Sequence, residues 1–295
     1  MNRRTIPASL LALALLAPCA AAGAGPAPRE SSAALTREER REARELAVRV
    51  VTRLKQTGDA DKVSAEFFIE DFAERFRRFA TGGSEHAGMM PIDAAVVSRA
   101  SAADLRRAYV ALLNLWVQFD LASDYEDRLA RAAAPGHGPP QTALRDALPP
   151  DFFDEAGVDP LLAAIKVGFF GRERDAEGVD ERAAAARIRS ATRLRSFTAG
   201  LEACVGQLRR ATDRLRAEAE AKERAAGLRA NPEDEGETVK NSIYRIESAA
   251  FGYNESGQAA GAQLVRVRAW PYVVLMVRRD GRLRVLSVCP DFDGD

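Results

Sequence analysis

Apolar positions recur every three or four residues through most of the chain, then every second residue near its end. This divides it into a helical part, 36–230, and a strand-rich part, 238–290. Thr36-Arg37-Glu38-Glu39 has the form of a capping box. Ala43, Leu46, Ala47, Val50 and Leu54 follow at helical spacing up to Gly58, a good terminator. Val63, Phe67, Phe72, Phe76 and Phe79 predict a second helix over 60–80, its aromatic stripe facing a core. Ser101 caps a third helix that runs to about Ala133. Its residues Leu105, Tyr109, Leu112, Leu113, Trp116, Phe119 and Leu121 nearly cover its circumference, so it is expected to be buried on several sides. Pro- and Gly-rich residues 134–150 interrupt the pattern, and Leu161, Leu162, Ile165 and Phe169 predict a short helix over 159–170.

The longest helix is expected from about Val179 to Arg229. Along it Leu194, Phe197, Leu201, Cys204, Leu208, Ala211 and Leu215 alternate in steps of three and four, an a/d seam that Glu218 ends. Such a seam packs on helices of its own chain or forms a homodimer through Leu194, Phe197, Leu201, Leu208 and Leu215. From Val239 onward, strands are predicted over Ile243–Tyr253, Gln263–Arg278 and Leu283–Val288. Pro271 sits within the middle run with too few residues around it for a full reversal, so one long strand bent near Trp270-Pro271 is expected. Asp280-Gly281 suits a type I′ hairpin turn. A meander with one apolar face needs helices across it. The predicted fold class is therefore α+β and predominantly helical: a helical body with a C-terminal three-stranded antiparallel meander, one domain over 36–295.

The amino end changes the picture of where the protein works. Arg3 and Arg4, the apolar run Leu10–Ala17 and the small residues Cys19 to Ala24 have the layout of a secretory signal over 1–24, cut after Ala22 or Ala24. A flexible tether over 25–35 follows, with Pro26, Pro28, Ser31 and Ser32. The expected location is periplasmic or secreted. Leu16-Ala17-Pro18-Cys19 has the outline of a lipobox that would anchor Cys19, but Pro18 stands where that motif takes Gly, Ala or Ser. No apolar run is long enough for a transmembrane segment. Hydrophobic residues make up 46% and charged residues 29% of the 295, a globular composition. Lys plus Arg and Asp plus Glu each number 43, which leaves no bulk charge to attract nucleic acid. The arginines of the longest helix share it with glutamates, so no nucleic-acid partner is expected either.

An oxidising compartment puts Cys204 and Cys289 in play. They either close a loop of about 85 residues, worth about 4–5 kcal/mol in the chain-entropy model, or pack as two buried thiols. His86 and His137 lie in Gly-containing loops without a Cys-x-x-Cys or His-Glu-x-x-His companion, so no metal and no cofactor are expected. There is no Gly-x-Ser-x-Gly and no phosphate-binding Gly loop. Asp291-Phe292-Asp293-Gly294-Asp295 reads as a ragged acidic tail. Trp270, Tyr272 and Tyr244 either line a pocket beneath the sheet, with polar tips, or pack in its core.

Two stretches resemble a known family. Val50 to Asp61, ending in Gly58-Asp59, looks like the opening helix and turn of NTF2-like (SnoaL-like) proteins, and Val273 to Val288 around Asp280-Gly281-Arg282 looks like their closing hairpin. The resemblance implies an N-terminal helical segment packed into the concavity of a strongly bent sheet. It departs from the family in placing about 170 residues of helix between the two stretches. The family holds enzymes, binders and dimerisation modules, so it carries no activity over. The function expected is an exported, non-catalytic module that binds a ligand or a protein. The alternative is an NTF2-like hydrolase or isomerase with a pocket beneath the bent sheet.

Overall fold

The computed structural model describes residues 35–69, 73, 92–133, 143–154, 158–171, 187–227, 239–240, 243–251 and 262–291. Its helices are α1 (Arg37–Thr57), α2 (Ala60–Phe67), α3 (Ala94–Arg99), α4 (Ala102–Ala132), α5 (Ala143–Ala147), α6 (Pro160–Phe170) and α7 (Ala191–Ala225). The strands are β1 (Ile243–Phe251), β2 (Ala262–Ala269), β3 (Tyr272–Arg279) and β4 (Arg282–Pro290). This is the expected helical α+β class with an antiparallel meander at the C-terminal end, although the meander has four strands rather than three. The chain forms two compact units, one within Phe76–Asn231 and the other from residues up to Arg75 together with Pro232 onward. The first helices therefore belong with the sheet.

In the helical unit, α4 starts at Ser101, whose hydroxyl accepts from the Asp104 N–H at 3.0 Å. Every residue from Ala108 to Gln118 is buried, as the all-round apolar pattern requires. α7 begins at the Ser190 cap, later than expected, and all seven seam residues are buried. They pack along α4 of the same chain. Two arginine forks, Arg107 to Glu202 and Arg128 to Glu223, each span 95 residues in sequence, so the two helices run parallel. Of the two readings of the seam, packing within the chain is the one seen here, because α4 supplies the long apolar partner it needs. Past Glu218 the contact continues, with Leu215 and Ala219 clustered against Ala122 and Leu129.

α6 is capped by Asp159 and lies against α7 at Gly200, where an added Cβ would meet the Leu162 side chain at 3.0 Å. Trp116, Phe119, Phe152, Phe169 and Phe170 form an edge-to-face aromatic cluster between α4, α6 and the turn before α6.

In the sheet unit, α1 shows the full capping box and ends on Gly58 in the left-handed region, whose N–H donates to Leu54 O. α2 stops at Phe67, not near residue 80. Phe68 turns extended and pairs in parallel with Val285, and the Ile69 N–H donates to Val285 O at 3.0 Å. A free sheet edge offers Phe68 and Ile69 main-chain partners that an isolated helix period cannot reveal. Phe72, Phe76 and Phe79 of the expected stripe lie outside the described residues, as do His86 and His137.

The sheet order is β1-β2-β3-β4, antiparallel throughout. The run expected as one bent strand reverses completely at Trp270-Pro271, since Ala269 pairs directly with Tyr272. That peptide bond is cis. The second turn is as expected, with Asp280 and Gly281 both at positive φ. Leu286 is the extra residue of a bulge in β4, between the pairs Leu275–Ser287 and Met276–Val285. α1 lies across β1, β2 and β3. Its Glu39 and Glu42 reach the closing hairpin: Arg278 pairs with Glu39 at 2.9 Å, and the Leu283 N–H donates to Glu42 at 3.1 Å.

Candidate functional site

The Trp270-Pro271 turn is held from three directions. β2 delivers it through Ala269, which is fully buried, and β3 leaves it through Tyr272, also fully buried. The third support comes from the chain just after β4, where the Asp291 N–H donates to Pro271 O at 2.8 Å. The Asp291 carboxylate accepts both arms of the Arg268 guanidinium, each at 2.8 Å, and both side chains are buried. A charge pair out of water persists only with such two-pronged geometry. On this base Trp270 stands 42% exposed, the outlying case among the described large apolar side chains.

Of the three residues read as pocket lining or core, Trp270 and Tyr272 part company. Trp270 faces solvent at a turn, whereas Tyr272 is wholly in the core. Tyr244 sits on β1 at the register shift between Ile243 and Arg245, and its side chain lies outside the described residues. The structure does not bring Trp270 and Tyr272 together on one cavity wall.

Arg268 and Asp291 were missed by the sequence pattern. Arg268 alternates with apolar neighbours and so reads as solvent-facing. Asp291 opens what reads as an acidic tail. Neither carries a local signal of burial, because each is buried only by virtue of the other.

Cys204 and Cys289 are thiols, not a disulfide. Cys204 lies in the α7 seam of the helical unit, and burial pushes its thiol up to about 12, with the nearby Lys166 charge opposing weakly. Cys289 is in β4 of the sheet unit, where its Sγ donates to Val273 O at 3.8 Å. A thiol that stays protonated at neutral pH is a small hydrophobe, not a nucleophile. Lys166 is itself largely buried on α6, its ammonium 4.6 Å from the Phe152 ring centre. Among the described residues, no group of three or more His, Cys, Asp or Glu is placed to hold a metal ion. No described helix is long and apolar enough to cross a membrane. Compared with protein-family models, curated proteins and solved structures, the chain matches none. The fold and site thus define a class only: a helical α+β protein with a meander that presents one aromatic side chain on a pinned turn.

Proposed function

We propose that this chain is an exported envelope or periplasmic protein that acts as a non-catalytic binding module, with Trp270 as its contact residue. The observation that carries the reading is the exposure of Trp270 on a turn fixed by the buried Arg268–Asp291 pair. Tryptophan is enriched at the centres of binding interfaces because it buries a large apolar area and offers one N–H donor. Mounting it on a turn with little freedom lowers the ordering cost of association. The hydrolase or isomerase reading asks Trp270 and Tyr272 to share a pocket, and their opposite exposures weigh against it. The NTF2-like resemblance stays part of the proposal on its two sequence stretches alone.

Native mass spectrometry of the protein recovered from its producing cell tests the reading. The expected result is additional mass, from a ligand or a partner, on the wild type and its loss in Trp270→Ala. A circular dichroism spectrum that matches the wild type checks that Trp270→Ala keeps the fold, since part of this side chain is covered. Identical bare masses for both proteins would sink the proposal. N-terminal sequencing of the same material should begin at Gly23 or Gly25 if the chain is exported.

A further inference from the structure

Arg37, Arg40, Arg41 and Arg44 fall within about 100° of arc on α1, given 3.6 residues per turn. Glu39 and Glu42 lie on the opposite side of the helix, where they are drawn to Arg278 and the Leu283 N–H of the closing hairpin. The helix thereby separates its charges. Its arginine side, together with Glu38 and Ile246 of β1, lines an open cleft of about 750 Å³. That volume is within the range of small-molecule sites.

The bonding of these arginines is unusual for a solvated helix face. Arg40 Nε donates to Leu35 O at 3.3 Å, and Arg44 Nη2 donates to Lys240 O at 3.0 Å. A carbonyl fixes a guanidinium in place but leaves its charge unneutralised and its other N–H groups available. Only Arg41 meets carboxylates, Glu38 at 3.8 Å and Glu45 at 3.9 Å, both exposed. Among the described residues no carboxylate lies within ion-pair distance of Arg37, Arg40 or Arg44. Four guanidinium groups against the single carboxylate of Glu38 in one cleft suit a group with two or more negative charges and several acceptor oxygens.

We infer that this cleft is a binding site for a ligand bearing a phosphate monoester or diphosphate group. Arg37, Arg40 and Arg44 engage the phosphate, and Ile246 gives an apolar contact to the remainder of the ligand. The site is separate from Trp270 and does not depend on the role proposed for it.

Two probes test the inference on the intact protein at about 0.1 M salt, where screening already weakens diffuse attraction. Calorimetric titration with inorganic pyrophosphate should show saturable binding at one site. The double variant R37Q/R44Q should lose at least tenfold in affinity, the single variant R37Q about threefold, and R49Q and W270A less than twofold. Arg49 is an exposed arginine of the same helix outside the cleft, so it reports generic charge. R37Q guards against misfolding, because Arg37 makes no side-chain hydrogen bond or ion pair among the described residues. Flotation with phosphatidylcholine vesicles, with and without phosphatidic acid, separates the ligand's sources. Flotation that needs phosphatidic acid and fails in R37Q/R44Q assigns a lipid headgroup, whereas pyrophosphate binding without flotation assigns a soluble ligand. No saturable binding by either probe, or an equal loss in R49Q, overturns the inference.

Discussion

Arg268 and Asp291 show how a single pair can decide local structure. Each charge is out of water and each is satisfied by the other, at 2.8 Å on both prongs. Removing one partner leaves a buried charge uncompensated, which costs about 3–5 kcal/mol, whereas replacing both with apolar residues is often close to neutral. Asp291→Ala should therefore lower the urea midpoint sharply, and Arg268→Met combined with Asp291→Leu should recover most of the loss. Equal losses in the two variants would refute this account of the pair. Cys204 makes a second case at this scale, with a pH signature. Its folded thiol is raised to about 12 from the usual 9.0. Between those values the folded state keeps a proton that the unfolded state has lost. Stability from this group is thus complete below about pH 9 and declines by about 1.4 kcal/mol per pH unit as pH rises toward 12. The stability of the wild type should fall faster than that of Cys204→Ala across pH 9–11. Parallel pH profiles for the two proteins would show that the thiol does not titrate in this way.

At the scale of elements, the α4–α7 pair is the strongest feature. Leu201 is fully buried in the seam, and truncating such a leucine costs about 3 kcal/mol through lost transfer energy and the cavity left behind. Leu201→Ala should lower the stability of the protein independently of its concentration, because the partner helix is in the same chain. A loss that disappears at high protein concentration would restore the two-copy seam. The periodic pattern made this seam legible residue by residue, since a helix buried on one stripe must show steps of three and four. What the pattern could not say was which apolar helix would meet it. The same limit applies to α2. Its aromatic positions keep helical spacing beyond Phe67, yet Phe68 and Ile69 leave the helix for the edge of β4. Hydrogen bonding to a strand more than two hundred residues away outweighs a local preference of a few tenths of a kcal/mol per residue.

For the whole molecule, the division into units cuts across chain order. α1 and α2 belong with strands that begin some 180 residues later, while the residues between them form the helical unit. Sequence by itself determined the elements whose signals are local: the Thr36 capping box, the Gly58 stop, the Ser101 cap and the Asp280-Gly281 turn. These are legible because the groups they satisfy lie within a few residues. It also determined the class, a mostly helical α+β chain, because burial imposes its period on each segment. Only the tertiary structure decided what depends on contacts between distant residues. It made the Trp270-Pro271 bend a full reversal that adds a fourth strand, and sent Tyr272 inward while Trp270 stayed out. It buried Arg268 by giving it Asp291, left Cys204 and Cys289 as separate thiols, and turned the arginines of α1 toward β1. The four arginines are visible in the sequence as a stripe, but a stripe has no neighbour until the fold supplies one. Burial, pairing and exposure are properties of a side chain's surroundings, and those surroundings come from parts of the chain that no local window contains.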